Sequence, residues 1–422
     1  MSDTMSEPTA PGPAAPNEAA EVMVLSALLR HSAVDGAGHS LGRLADVIVR
    51  LRQEDYPEVS GLVVDIGGRE LFIPADQIVV WDAQHLVVAS SQLDPRPFLR
   101  RAGEVLLRED VLGHRVIDVE QAGLVTAHDV QVTHAGEGWI VTAVDIHPRN
   151  WLSRRGGHTW RSWSGIEALI GHDGSLPARA PMGRLRRLKA AQLADIIEKA
   201  SDREQRELLT RVHAHPDLEA DVFEELDEDE ASDLLEARTD PEIADLLGRM
   251  RADDAADALL DLPQERRMSV LRQLSDTERK KITALLGYQE ATAGGLMSLD
   301  YLLLPETTTA AQAIAAVRDA TQMQPEAIVV VFCHDEHNAL TGAVSLVALV
   351  QADSTATLAE LAEPAPVHVH PDADVNEITL AMADYNLLIL PVLDHDDHLL
   401  GVLTSDDILE AAIAPEWRRR RG

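Results

Sequence analysis

The sequence predicts a multidomain α+β chain, and three observations carry that prediction. Over its first 175 or so residues, short runs rich in Val, Ile and Leu alternate with Gly, Asp and Pro, the pattern of small β-domains. Further on, Asp221, Asp233, Asp245 and Asp257 stand 12 residues apart, each followed by apolar positions. The last third of the chain repeats a strand-and-helix unit. With 422 residues there is enough chain for several cores.

Residues 1–21 hold Pro, Ala, Ser, Thr and Glu with hardly any large apolar side chain. Nothing there offsets the entropy of ordering, so a disordered leader is expected. A first strand-rich segment, residues 22–98, is expected to form strands at 44–51, 59–65, 70–74 and 86–89, with hairpin turns at Asp35-Gly36 and Gly67-Gly68. A second, looser version over residues 99–180 gives strands at 105–112, 113–119, 123–133 and 139–145.

The 12-residue spacing decides the middle of the chain. A single helix turns about 100° per residue, so each step would carry the pattern about 120° round one rod. No common apolar stripe survives that rotation. The spacing therefore predicts a row of short helices over residues 183–288. Each buries its apolar pair (Val222-Phe223, Leu234-Leu235, Leu246-Leu247, Ala258-Leu259) and shows an acid at an equivalent point. Pro216, Pro241 and Pro263 suit first helical positions, with Asp240 as the cap before Pro241. Ser201…Glu204 and Ser275…Glu278 have capping-box spacing. The expected product is a small acidic α-solenoid, whose carboxylates invite cations.

Residues 289–415 alternate strands, expected at 328–332, 343–349, 387–393 and 401–409, with helices. Gly342-Ala343-Val344-Ser345 corresponds to Gly401-Val402-Leu403-Thr404, and Pro305-Glu306 and Pro371-Asp372 open the two copies. Residues 310–317 and 375–382 carry Ala, Ile, Val, Leu and Met at helical spacing, apolar faces that one copy cannot cover. A homodimer through this region is the expectation. His334…His337 and His395…His398 fall in corresponding turns beside acids, where solvated histidines are commoner than metal ligands. Residues 416–422 form a basic tail; four arginines without an apolar anchor hold a membrane weakly, so a solubilising end is expected.

Composition narrows the function classes. A formal charge of −34 argues against nucleic acid, because neutralising phosphates needs clustered Lys and Arg. Cys333 is the only cysteine, so the chain has no disulfide framework and no thiolate metal site, which suits a reducing cytosol. No signal-peptide pattern opens the chain, and nowhere do roughly 18 apolar residues run together to make a membrane span. There is no calcium-binding loop, no phosphate-binding Gly-x-x-x-x-Gly-Lys-Ser/Thr loop and no Gly-x-Ser-x-Gly elbow, so nothing argues for an enzyme.

Leu41-Gly42-Arg43-Leu44 and Gly61-Leu62-Val63-Val64-Asp65-Ile66, followed by Phe72-Ile73-Pro74, resemble the PRC-barrel domains of the photosynthetic reaction-centre H subunit and of ribosome-maturation factors. That resemblance implies two small β-barrels that serve as adaptors. The paired β-α-β-β-α units, with Gly401-Val402-Leu403-Thr404-Ser405-Asp406-Asp407-Ile408, resemble tandem CBS domains, whose cleft commonly binds adenine nucleotides. Thr404 and Asp407 are the residues this implies for nucleotide contact; in the first unit the equivalents are Ser345 and Ala348, so the ribose-binding acid is missing there.

Acidic helices, the junction Thr292-Ala293-Gly294-Gly295-Leu296-Met297-Ser298 and a CBS pair together resemble the cytosolic half of MgtE magnesium transporters, over about residues 185–415. The resemblance implies Mg²⁺ ligands at Asp221 and Asp253 on the helical side and at Asp374 and Asp407 on the CBS side. The family usually has Asp where this chain has Asn386. The reading is a cytoplasmic, non-enzymatic Mg²⁺-sensing regulator, possessing the sensor without the pore. Its partner would be a separately encoded membrane transporter, and a peripheral position at the membrane is a variant of the same reading. Two rivals stand beside it: an adenine-nucleotide sensor, and a structural adaptor built on the PRC-like barrels.

Overall fold

The computed structural model of the chain describes residues 22–413, apart from 52–55, 83–84, 90–93, 95, 97, 102, 137, 148–156, 170–181, 290 and 322. The expected leader and basic tail lie outside the described residues. The chain divides into two compact units, Met1–His215 and Pro216–Gly422.

The N-terminal unit is strand-rich. Its first half comprises β1 (Val22–Val24), the short helix α1 (Leu25–Leu28), β2 (Ser32–Asp35), β3 (Ser40–Arg50), β4 (Val59–Asp65), β5 (Glu70–Pro74), β6 (Ile78–Trp81) and β7 (Leu86–Val88). Its second half comprises β8 (Glu104–Leu106), β9 (Arg115–Asp118), β10 (Gly123–Thr126), β11 (Asp129–Ala135), β12 (Gly138–Asp145), β13 (Trp160–Ser162) and β14 (Ile166–Ala168). The largest sheet runs β5-β4-β3-β2-β7-β6, with β8 also paired to β3. Two others run β1-β11-β12-β13 and β10-β9-β14.

The two expected segments thus exchange strands. β1 pairs antiparallel with β11 (Val22 opposite Thr133), and β8 pairs with β3 (Leu106 opposite Ile48). One buried cluster runs from Met23 and Leu25 through Leu62 and Val64 to Val141, Trp163 and Ile166, so the halves share a core. Gly61 is required where it stands: a Cβ there would lie 2.3 Å from the Phe72 ring. The expected turns form. Gly67 and Gly68 both take positive φ, and the Asp35 carboxylate accepts the Ala37 and His39 N–H groups at 2.9 Å.

Two expected strands in this unit are corrected. The strand expected at 123–133 is two, β10 and β11, which pair in different sheets. Of residues 105–112, only the start is extended; Leu107–Val111 form a π-helical turn. Asp46 causes it, accepting the Arg108 and Glu109 N–H groups at 2.8 and 3.0 Å, and Asp110 accepts the Leu106 N–H at 2.7 Å. Two buried carboxylates gather N–H groups that a strand would direct at a neighbour.

The unit ends in α2 (Ala190–Glu198) and α3 (Asp202–His213), tied back to the strands by ion pairs from Arg115 of β9 to Glu204 and from Glu167 of β14 to Arg211.

The C-terminal unit opens with the predicted row of short helices: α4 (Pro216–Glu224), α5 (Glu228–Glu236), α6 (Asp240–Leu247), α7 (Ala252–Asp261), α8 (Gln264–Gln273) and α9 (Asp276–Leu285). Each packs on the helix two further along, α4 on α6, α5 on α7, α6 on α8 and α7 on α9, which is solenoid stacking. The four repeated aspartates fall on four successive helices. Asp221, Asp233 and Asp245 are exposed and Asp257 is half-buried, while Phe223, Leu235, Leu247 and Leu259 are buried behind them. Ser201 and Ser275 form their capping boxes.

Two caps differ from expectation. Thr239, not Asp240, caps α6, because Thr239 and Glu242 complete a capping box; this leaves Asp240 in the first turn, paired with Arg266 at 2.8 Å. Pro263 is the residue before α8 rather than its first helical position.

The rest is a pair of related units: α10 (Ala293–Leu296), β15 (Leu302–Pro305), α11 (Ala310–Asp319), β16 (Val330–His334), β17 (Leu340–Ser345), α12 (Leu346–Gln351), α13 (Leu358–Leu361) and β18 (Glu363–Pro364), then α14 (Val375–Tyr385), β19 (Ile389–Leu393), β20 (Leu399–Thr404) and α15 (Ser405–Ala412). Strands β15-β16-β17-β18 form one sheet and β19-β20 another, and Phe332 packs with Ile389 and Val402 in a core common to both. The strands expected at 343–349 and 401–409 stop early. Ser345 and Thr404 turn each chain into a helix, their hydroxyls accepting the Ala348 and Asp407 N–H groups. The apolar run continues across both switches, so periodicity alone conceals them.

The junction seats the array on the second unit. Gly294 N–H donates to Pro371 O at 2.8 Å, and Ser298 pairs with Val402. A Cβ on Gly294 would lie 2.4 Å from the Tyr288 ring, and one on Gly401 would lie 2.7 Å from Met297 Sδ. The fit needs both glycines. Among the described residues, no helix is long and apolar enough to cross a membrane.

Candidate functional site

Where the helical array meets the second α/β unit, a single cation sits among acids. Arg251 is the residue before α7, and its position follows from three helix ends. Its backbone N–H donates to Glu224 Oε1, at the end of α4, at 2.6 Å. Its Nε donates to Asp254 Oδ2, in the first turn of α7, at 2.7 Å, and its Nη1 pairs with Asp407, in the first turn of α15. Asp253 adds a further negative charge beside it.

The acids outnumber the cation, and their proton affinities show it. Burial, then repulsion from Asp254, pushes Glu224 up to about 7. Burial and the same neighbour push Asp253 well above the usual carboxylate range, with Arg251 only partly offsetting them. Asp407 is raised chiefly by burial, against the opposing pull of Thr404 and Arg251. Asp221, exposed at its surface, is raised by partial loss of solvent and then by Asp217. For Arg251, burial disfavours the charge, yet Asp254, Asp253, Asp407 and Glu224 outweigh it and push its pKa up.

Beside this cluster opens a cleft of about 1080 Å³, lined by Asp217, Asp221, Asp245, Glu278, Asp300 and Asp406 among others. Arg249 and Lys281 also line it, but are engaged, Arg249 with Asp217 at 3.0 Å and Lys281 with Asp300. The Thr404 hydroxyl lies 2.6 Å from both Asp406 Oδ1 and Asp407 Oδ2. One hydroxyl has one proton, so the two carboxylates compete for it.

Of the residues singled out by sequence, Asp253 and Asp407 lie together at Arg251, and Asp221 lines the adjoining cleft. Asp374 is exposed and caps α14, accepting the Glu377 N–H at 2.9 Å. Asn386 takes the left-handed conformation that ends α14 (φ 53°, ψ 45°), a position Asn tolerates better than most side chains. Thr404 and Asp407 are buried at the N-terminus of α15. Sequence reasoning missed Arg251, Glu224 and Asp254. The adjacent Arg251-Ala252-Asp253-Asp254 was the available signal, but the contact to Asp407 spans 156 residues.

Residues 188–291 match the family described as the MgtE intracellular N domain, and residues 358–414 match the CBS domain family. A magnesium transporter MgtE of Thermus thermophilus is 35% identical over 136 residues, covering 32% of this chain and 30% of the relative. One from Enterococcus faecalis is 31% identical over 108 residues, covering 26% and 24%. The chain therefore spans less than a third of the length of these curated relatives. A solved structure described as the cytosolic domain of the Mg²⁺ channel MgtE in complex with ATP aligns with 54% of this chain and 91% of its own, at 28% identity and a TM-score of 0.50. These matches identify the helical array as an MgtE intracellular N domain joined to CBS domains, homologous to the cytosolic region of MgtE magnesium transporters.

Proposed function

We propose that the chain is a cytoplasmic, non-enzymatic regulatory protein in which Mg²⁺ governs how closely the helical array and the CBS domains associate. The observation that carries this is the convergence on Arg251 of carboxylates from both sides, Glu224, Asp253 and Asp254 from the array and Asp407 from α15, beside an acidic cleft. The donors suit the ion: Mg²⁺ is a hard cation that takes one or two carboxylates and keeps several waters, and the cleft leaves room for them. Arg251 supplies one positive charge to surroundings that call for more. An ion that binds the closed arrangement better than the open one shifts the population toward closure by that difference in affinity.

The output is a change of shape offered to a partner such as a separately encoded magnesium transporter, with the strand-rich unit as a PRC-like adaptor. Val347 and Val350 on α12, Leu380 and Tyr385 on α14, and Leu409 on α15 are exposed apolar side chains, which favours a homodimer through the CBS domains. The test is calorimetric. Mg²⁺ should bind the wild type, and Asp253→Ala should weaken that binding; equal binding by the two contradicts the assignment.

A second reading, adenine-nucleotide sensing, is favoured by the ATP in the description of the similar structure and by Thr404 and Asp407 at the start of α15. It would engage the same Asp407 that pairs with Arg251, so nucleotide and closure would compete for one carboxylate. Thr404→Ala should then abolish ATP binding while leaving Mg²⁺ binding in place. If ATP binds both proteins equally, this reading fails.

A further inference from the structure

The strand-rich unit holds a histidine cluster that the acidic site does not involve. Asp145, at the end of β12, is fully buried, and its Oδ1 is fixed by the Thr159 N–H at 2.9 Å and the His147 N–H at 3.2 Å. Its other oxygen, Oδ2, faces two imidazoles, His147 Nδ1 at 2.9 Å and His158 Nδ1 at 2.6 Å. The ring of His128 lies 4.5 Å from that of His147, and His158 stacks on Trp160 at 5.4 Å. Three ligand atoms therefore lie within 4.8 Å of one another, the carboxylate oriented by backbone N–H groups, as ligands of metal sites are held by their surroundings.

The geometry points to a site for one divalent first-row transition ion, such as Zn²⁺, held by Asp145 Oδ2, His147 Nδ1 and His158 Nδ1 with a coordination position left open to water. Two imidazoles and one carboxylate suit Zn²⁺ or Ni²⁺, whereas Mg²⁺ prefers oxygen alone. Three protein ligands and an open position is a recognised Zn²⁺ arrangement, in which bonds near 2.0–2.1 Å set ligand atoms about 3.3 Å apart. From 2.9 and 2.6 Å, the separations of His147 and His158 from Asp145 need to open by about 0.4 and about 0.7 Å. His158, whose side chain is 64% exposed, is free to swing by that much while the buried carboxylate stays fixed. The chain would then respond to two classes of metal in two places, hard ions in the C-terminal unit and a borderline ion in the N-terminal one.

Calorimetric titration of the full chain with ZnCl₂, in MgCl₂ sufficient to occupy the acidic cleft, tests this. The expected result is one Zn²⁺ per chain, with affinity reduced about tenfold or more in the His147→Ala/His158→Ala variant. Asp253→Ala should leave it unchanged. Wild-type Trp emission should change on Zn²⁺ addition as His158 leaves Trp160, and Trp160→Phe should reduce that change. His398→Ala is the control for the turn in which Asp394, Asp396 and His398 also approach one another. Absence of stoichiometric binding, or binding that persists in the double variant and is lost in His398→Ala, overturns the proposal. Circular dichroism on each variant separates lost ligands from lost fold.

Discussion

In the N-terminal unit, Asp110 receives Arg100 and the Leu106 N–H, and Asp118 receives Arg161 at 3.1 Å and two backbone N–H groups at 3.0 and 3.1 Å. In the C-terminal unit, Glu224, Asp253, Asp254 and Asp407 face one another across a single guanidinium. The residue types are the same, and the difference is how many donors meet them. A buried carboxylate surrounded by donors is part of the scaffold, because removing a partner leaves a charge with nowhere to go. The carboxylates at Arg251 are raised chiefly by burial and then by one another, a condition under which a cation that replaces a proton is favoured.

The largest effect expected is on the scaffold side. Asp110→Ala strands the buried Arg100 charge and should destabilise the N-terminal unit by about 3–5 kcal/mol in denaturant unfolding, with no recovery in Mg²⁺. Recovery would erase the distinction drawn between the units. Arg251→Ala comes next. Its side chain keeps 26% exposure, so a loss of about 2–3 kcal/mol is expected, below the range for a fully buried pair. Here Mg²⁺ should restore much of the lost Tm, because an ion can stand in for the guanidinium.

A smaller effect lies in pH. The carboxyl of Glu224 is raised from 4.5 to about 7, so between those values the folded chain keeps a proton that the unfolded chain has lost. This group therefore lowers stability as pH rises through that window. A cation at the site favours the ionised form and expels the proton. Mg²⁺ affinity should rise with pH up to about 7 and level off above it, and calorimetry in buffers of different ionisation enthalpy should register proton release. Glu224→Gln should flatten the profile; an unchanged profile would remove Glu224 from the site. The smallest effect is at Asp374, where Ala should cost about 1 kcal/mol as a lost helix cap and leave the Mg²⁺ response intact.

Much of this architecture was legible in the sequence because it is local. The 12-residue step of Asp221 to Asp257 excludes one long helix by geometry alone, and Gly, Asp and Pro bracket β4 and β5 at the residues where those strands end. What escaped was decided by partners distant in sequence or by one capping hydroxyl inside an apolar run. Leu107 leaves its strand because Asp46 captures the next N–H groups, and residues 346 and 405 turn helical because Ser345 and Thr404 cap them. The exchange of β1 and β8 between the two strand-rich segments left no trace in either segment's own pattern. The site was half legible. Asp253 and Asp407 followed from resemblance, whereas Arg251 reads as one arginine among many until the fold places it against three helix ends.

The central claim, that a cation closes the acidic array onto the CBS domains, is tested most directly by small-angle scattering of the full chain with and without Mg²⁺. The account predicts a smaller radius of gyration in Mg²⁺, together with protection from protease at residues 292–298, and neither change in Asp253→Ala/Asp407→Ala. A radius and a cleavage pattern that are the same in both conditions would contradict it.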